Sequence, residues 1–435
     1  MKIAIVGFGR QGRSAYDYWR SKSNDVTICD NDTSLDLPDD AGRKLGPAHL
    51  QGLDEFDLIV RSPIVHPSKL VEANGQEILK KTTTVTNEFF RACPTKNIIG
   101  VTGTKGKGTT STLIAKLLQQ AGKTVHLGGN IGIPPLDLLK DGIRPEDWVV
   151  LELANFQLID LAYSPPIGLC VMVVPEHLDW HPNLEEYFYA KKQLFAHQGS
   201  EDTAIYYAKN EYSRDIASAG KGKLLPYYSP PGAYIENDDV IIDGQSICST
   251  DEIKMLGKHN WQNICAAVTA VWQISKDVDA MRAVLTTFSN LPFRIELRRV
   301  VGGVKYYNDS FATGPGATIA AIEAVPETKV LLIGGYERGN DLSELADALI
   351  NNSDKIRKVI VYGASAQRIA DELNKSRFTN FTVEKPKDMQ ELVGLAQKTA
   401  KKGDAVVLSP AFASFDMFKN FEERGIIFNE VVEKL

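Results

Sequence analysis

The run Gly100-Val-Thr-Gly103-Thr104-Lys105-Gly106-Lys107-Gly108-Thr109-Thr110 carries the strongest chemical signal in the chain. Small residues let backbone N–H groups wrap a phosphate, the helix that follows offers its positive end, and a lysine neutralises the transferred group. It is not a strict Walker A loop. Val101 holds the first glycine position, and Gly108 separates Lys107 from the hydroxyl that would meet Mg2+. A plain glycine turn with incidental lysines is the alternative; the order strand, loop, helix favours phosphate. A second turn, Gly7-x-Gly9-x-x-Gly12 with Asp30 18 residues after Gly12, has the spacing of a dinucleotide fingerprint. It is compatible with NAD, with tight strand–helix packing, or with a nucleotide-sugar site on a Rossmann-like domain. The nucleotide loop downstream favours the last. Two phosphate-bearing ligands in one chain point to a transfer between them, not to a hydride step.

Glu152, in Leu151-Glu152-Leu153-Ala-Asn-Phe-Gln157, is expected to end an apolar strand, and so is the stretch Glu176-His177-Leu-Asp179-Trp-His181. A carboxylate and an imidazole emerging beside a phosphate loop can hold divalent cations that bridge phosphate oxygens. His177 alone reads equally as a satisfied structural histidine, and the strand end favours the ligand reading. Asp179 and His181 are expected to lie behind the ligands or on the surface. Lys191, in Tyr187-Phe-Tyr-Ala-Lys191-Lys192, reads from residue type alone as a solvated helix lysine. Asp309, in Tyr307-Asn308-Asp309-Ser310, is either a ribose-binding acid or the head of an Asx-turn.

The elements that must position these groups read as α/β throughout. Lys2 to Val6, the glycine turn, a helix over Arg13 to Trp19 and Val26 to Asp30 make a strand–helix–strand unit, with a further strand at Asp57 to Val60. Apolar strands at Asn97 to Val101, Trp148 to Leu151 and Leu169 to Val174 suit a parallel sheet buried on both faces. Residues 220–250 look like short strands and turns decorating that sheet, and a helix is expected over Trp261 to Ile274. Strands at Lys329 to Ile333, Lys358 to Tyr362 and Ala405 to Leu408 alternate with helical stretches. The division is three consecutive domains: a Rossmann-like N-terminal domain (1–93), a P-loop central ATPase (94–293) and a Rossmann-like C-terminal domain (294–435).

Composition narrows the function classes. Across 435 residues, 49 Lys and Arg against 55 Asp and Glu give a net charge of −6, which provides no global basic field for nucleic acid. No apolar run reaches the ~20 residues that span a bilayer. The N-terminus reads as a strand and a glycine turn, not as a signal peptide. Five separated cysteines without a CxxC pair read as reduced thiols of a cytoplasmic protein, without metal ligation by sulfur.

Taken together, GTKGKGTT, GGNIG, LELANFQL, EHLDWH, YAKKQLF, GKHNWQN, LPFRIE, YNDSFAT and SPAFASFDMFKNFEERG resemble the Mur ligase superfamily. Their order and spacing over nearly the whole chain are most similar to its glutamate-adding branch. The resemblance implies ATP-dependent addition of glutamate to UDP-N-acetylmuramoyl-L-alanine through an acyl phosphate, with Mg2+, by a cytoplasmic monomer. It implies ATP contacts from Gly103, Thr104, Gly106, Lys107, Gly108, Thr109 and Thr110. Asn260 and Asn263 match adenine-side positions, Arg294 the phosphate-contacting arginine and Asp309 the ribose acid. Thr109, Glu152 and His177 would serve magnesium, and Lys191 matches a lysine that is carbamylated in the family. Gly9, Arg10, Gln11, Asp30, Asn31, Ser62 and Asn130 would serve the UDP-sugar, and Arg338, Ser414 and Phe421 the incoming amino acid.

The chain departs from the family pattern at Gly108, at Ala154-Asn155 in place of a Ser-Ser pair, and at Phe293. It departs also at Phe311 and Arg338, where lysines are usual. The alternatives are a folylpolyglutamate synthase-like ligase, whose loop Gly108 resembles, an L-glutamate-specific variant, a nucleotide-binding module without catalysis, and, most distant, an NAD-linked dehydrogenase.

Overall fold

β-branched and aliphatic residues in Lys2–Val6 form a strand buried from Ile3 onward. It pairs in parallel with Asp25–Asp30 on one side and Leu58–Arg61 on the other. The computed structural model, which describes residues 1–435, completes this sheet with Gly42–Leu45 and Thr82–Thr84, all five strands parallel. Strand order reverses at Lys2–Val6, which opens a crevice at its carboxyl end. The turn there depends on glycine: a Cβ on Gly12 would lie 2.1 Å from the Gly7 carbonyl oxygen. The helix Arg10–Arg20 therefore approaches the turn more closely than any other residue allows.

The second sheet has six parallel strands in the order Lys223–Tyr227, Thr203–Tyr207, Ile167–Cys170, Ile98–Thr102, Trp148–Glu152 and Val125–Gly129. Ile98–Thr102 is buried at every residue, as a strand covered on both faces must be. The strand expected over Leu169 to Val174 ends instead at Cys170. The Met172 carbonyl accepts from Thr104 N at 2.7 Å, and Val174 N donates to Thr104 Oγ1 at 3.0 Å. These groups bond the phosphate loop, not a neighbouring strand, so His177 follows irregular backbone. Of residues 220–250, Lys223–Tyr227 joins the main sheet. Tyr234–Glu236, Asp239–Ile242 and Gln245–Ser249 form a separate antiparallel sheet. Its two connections, Asn237-Asp238 and Asp243-Gly244, have positive φ at both residues, the geometry of tight hairpins.

The chain forms two compact units, residues 1–252 with 262–286, and residues 253–261 with 287–435. In the first, one apolar cluster runs from Ile3, Trp19 and Phe89 through Leu136 to Leu151 and Phe195, so the two parallel sheets share a core. Arg61, fully buried, ties them together. Its Nε and Nη2 donate to the two Asp160 carboxylate oxygens at 2.8 and 2.7 Å, and its Nη1 donates to Val65 O at 2.7 Å. Arg61→Met should lower unfolding free energy by about 3 kcal/mol, since a half of a desolvated pair and a buried carbonyl lose their donors. Urea unfolding measures this, and a change below about 1 kcal/mol would contradict it.

The second unit holds a six-stranded sheet ordered Glu296–Val301, Val304–Asn308, Ala405–Leu408, Lys329–Gly334, Ile356–Tyr362 and Phe381–Val383. The first strand is antiparallel at the edge and the rest are parallel. No helix is long and apolar enough to cross a membrane. All five cysteines are free and buried, and burial raises the Cys29 thiol to about 12 and those of Cys170 and Cys248 to about 11.

Candidate active site

Ile98–Thr102 delivers the glycine loop to the carboxyl edge of the second sheet, and the helix Lys107–Gln120 leaves it with its positive end facing the loop. Gly103 (φ +138°) and Gly106 (φ +96°) adopt backbone that side chains avoid. A Cβ at Gly106 would also lie 2.2 Å from Asn263 Oδ1. Thr104 is pinned by Val174 O at 2.9 Å and by the Tyr187 hydroxyl at 2.6 Å. Gly108 sits in the buried first turn of the helix, between Lys107 and buried Thr109. Thr110 Oγ1 reaches Asn263 Oδ1 at 3.5 Å.

Two lysines meet at this loop. Lys107 Nζ donates to Gly103 O and Thr104 O, both at 3.0 Å, and Lys191 Nζ donates to the same Gly103 O at 2.9 Å. Lys191 is buried in the middle of the helix Leu184–Ala196, not solvated as its residue type alone implies. Burial, and next the charge of Lys107, pushes its pKa down to about 7. His177 stands at φ +60° with its ring 4.9 Å from that of Phe156. Its pKa is lowered chiefly by burial, against the pull of Glu176, with Lys107 and Lys191 adding to the fall. Glu152 is buried at the end of its strand, in register with Val101, and its Oε1 accepts from Asn130 Nδ2 at 2.9 Å. The loop, both lysines and His177 thus share one electrostatic neighbourhood, with Glu152 on the adjacent strand.

A cavity of about 430 Å³ opens beside it, lined by Gly9, Arg10, Gln11, Ser62, Pro63, Ile64, Gly129, Asn130, Phe156 and Trp180. Arg10 Nη1 donates to Gly132 O at 2.9 Å. Gln11 Oε1 is buried without a hydrogen-bond partner. Asp30 does not line this cavity; its oxygens accept from Phe8 N at 2.7 Å and Asp32 N at 3.0 Å, and Asn31 beside it is exposed. In this unit, Trp180, half-buried with its indole N–H on Ile64 O at 3.0 Å, is a pocket residue that sequence reasoning passed over. Of the two positions expected for His181, behind the ligands or on the surface, the surface one does not hold: it is buried, with Glu186 and Asn155 bonding its two ring nitrogens. Asp179 is exposed.

In the second unit, Asp309 is buried, with Oδ1 accepting from Ile295 N at 3.1 Å and Oδ2 from Ser409 Oγ at 2.7 Å. Burial outweighs these bonds and raises its pKa to about 7. The Arg294 guanidinium stacks 3.6 Å from the Phe311 ring centre, and Phe311 meets the edge of Phe421 at 4.9 Å. The aromatic at a usual lysine position thus supports a neighbouring arginine. Arg338 is exposed and lies over Phe415 at 5.4 Å. Ser414 is buried, and its carbonyl accepts from Met417 N and Phe418 N. Asn260 Nδ2 donates to Leu256 O at 2.7 Å. Arg424, absent from the sequence expectations, is buried and donates to Ser310 Oγ, Ser310 O and Phe412 O, which fixes the turn before Phe311.

The chain matches the family model of the Mur ligase middle domain over residues 101–271 and that of the Mur ligase glutamate ligase domain over residues 293–412. It is 34% identical over 453 residues to a UDP-N-acetylmuramoylalanine--D-glutamate ligase of Clostridium kluyveri, covering 100% of this chain and 97% of that protein. A protein of the same name from Acetivibrio thermocellus is 35% identical, with 100% and 96% covered. Among solved structures, UDP-N-acetylmuramate-alanine ligase from Thermotoga maritima superposes with a TM-score of 0.63 at 17% identity, covering 100% of this chain and 99% of that one. MurF ligase of the same organism, in complex with ADP, gives 0.61 at 16% identity, with 99% and 95% covered.

Proposed function

The chain belongs to the Mur ligase family, and we propose that it joins D-glutamate to UDP-N-acetylmuramoyl-L-alanine, forming an amide bond with ATP as the driving substrate. The observation that carries this reading is the convergence of Lys107 and Lys191 on the carbonyl of Gly103, at the head of a glycine loop that follows a central parallel strand. Full-length likeness to two D-glutamate ligases supplies the substrate class. The domains 1–93, 94–293 and 294–435 would serve the UDP-sugar, ATP and glutamate in turn.

In the first step a carboxylate oxygen of the alanyl group attacks the γ-phosphorus of ATP, the bond to the β-phosphate oxygen breaks, and ADP leaves. In the second the glutamate amine attacks the acyl carbon, loses a proton and expels phosphate. Lys107 and the loop N–H groups neutralise and position the phosphates. Gln11, which lines the cavity, would contribute a polar contact to the ligand there. The residues present fit magnesium. Glu152 is a buried carboxylate beside the loop, Thr109 a hydroxyl on its helix, His177 an imidazole in the same electrostatic neighbourhood, and Lys191 a buried amine that carbamylation would convert to an anionic oxygen donor. The ion, when bound, would neutralise charge on the phosphate oxygens.

Phosphate release from ATP should require both UDP-N-acetylmuramoyl-L-alanine and D-glutamate, and should stay at background with L-glutamate. Release that needs neither acceptor would place the chain with nucleotide-binding modules, and release with a pteroyl acceptor with folylpolyglutamate synthases.

A further inference from the structure

Outside the phosphate loop, three side chains distant in sequence point at one another. His66 Nε2 lies 2.8 Å from Glu186 Oε1, and His181 Nδ1 lies 2.9 Å from the same oxygen. The three atoms all fall within 4.8 Å of one another. His66 caps the helix Pro67–Asn74 from the first sheet's side. Glu186 stands in the first turn of Leu184–Ala196, and His181 in the turn before it. His181 is fully covered, whereas the side chains of His66 and Glu186 retain 14% and 26% exposure, so the cluster opens to solvent on one side.

We propose that His66, His181 and Glu186 form a site for one divalent transition-metal ion of the zinc class. Two imidazoles and one carboxylate are the donor set that borderline ions take, with a fourth position left for water. Magnesium and calcium prefer oxygen donors, so this site is chemically distinct from the one beside the phosphates. Each outer nitrogen lies beside a side chain that can turn to accept its proton, as a ligand histidine requires. His66 Nδ1 is 2.9 Å from Ser68 Oγ, and His181 Nε2 is 2.7 Å from Asn155 Nδ2.

Before an ion binds, the neighbouring donors decide where the ring protons lie. Ser68 N donates to His66 Nδ1 and the Asn155 amide to His181 Nε2, so each neutral ring carries its proton on the nitrogen facing Glu186. Binding moves each proton to the outer nitrogen of its ring. Ser68 Oγ accepts one, the bond from Ser68 N to Nδ1 being given up, and Asn155 Oδ1 accepts the other once its amide turns over; no net proton is released. The ion then bridges the segment carrying Ile64 to the segment carrying Trp180, two walls of the cavity. This gives Asn155, which replaces a family serine, a defined task.

The test is a titration of the full chain with cobalt(II) in excess magnesium, followed by the visible absorption of the bound ion. One saturable equivalent that zinc displaces is expected. His181→Ala should abolish it. Glu186→Gln keeps an oxygen to accept both N–H groups, so it folds, and it should also lose the saturable equivalent. Asn155→Ala should weaken binding about 10-fold. No saturable equivalent in the wild type, or one undiminished in Glu186→Gln, would overturn the proposal. Ligation activity is not the readout, so a failed metal site and a failed ligase assignment are separable.

Discussion

Lys107→Ala is expected to lower ligation by about 10³-fold while leaving the protein folded. The side chain donates to two carbonyls of its own loop, Gly103 O and Thr104 O. In the half-exposed position of Lys107, such bonds are each worth about 1 kcal/mol of stability. A phosphoryl group passing between a nucleotide and a carboxylate demands far more of a cation that meets its charge, because that charge grows where the loop N–H groups alone must hold it. Phosphate release should therefore collapse with little change in thermal unfolding. Turnover within tenfold of wild type would reject the loop as the site of phosphoryl transfer.

The second large effect falls on Lys191. Replacement by alanine should cost about 10²- to 10³-fold in turnover, and acetate should restore part of it by filling the vacated space with a carboxylate. The reasoning starts from burial. A lysine whose pKa is pushed down to about 7 is largely a free amine above that pH. Its nitrogen can attack carbon dioxide, form an N–C bond and release a proton, leaving a carbamate anion. Wild-type turnover should fall as pH drops through about 7, and carbon dioxide-stripped enzyme should regain activity with bicarbonate. Stability should move in the same direction. Between about pH 7 and the ordinary lysine range the unfolded chain holds the proton that the folded chain has lost, so stability rises with pH there. Indifference of the alanine variant to acetate, with no bicarbonate response in the wild type, would remove carbamylation from the account.

Much of this was legible because the relevant signals are local. Glycine spacing before an apolar helix marks the phosphate loop, and Glu152 does end its strand, since Trp148 to Leu151 is a plain apolar run. The position of His177 was misjudged for a physical reason. Val171 to Val174 look like strand continuation, but Met172 and Val174 bond to Thr104, far away in sequence, and the sheet loses them. Only the family resemblance singled out Lys191; its burial escaped the reading by residue type because a helix face cannot announce which neighbours will cover it. The same holds for Arg424, which sits in Glu422-Glu423-Arg424 like a surface residue yet is buried on three carbonyl or hydroxyl groups. His66 and Glu186 meet across long sequence separation, and no periodicity could pair them.

The burial of all five thiols has a practical consequence. Reagents that alkylate thiols act on the thiolate, and these sulfurs are covered and held against ionisation, most firmly at Cys265. The native chain is therefore expected to leave maleimide dyes unreacted. One cysteine introduced on an exposed face of each compact unit would take up donor and acceptor fluorophores without any native residue being removed. Energy transfer between them would then follow, in solution and in real time, how the two units respond as nucleotide, sugar and amino acid arrive in turn.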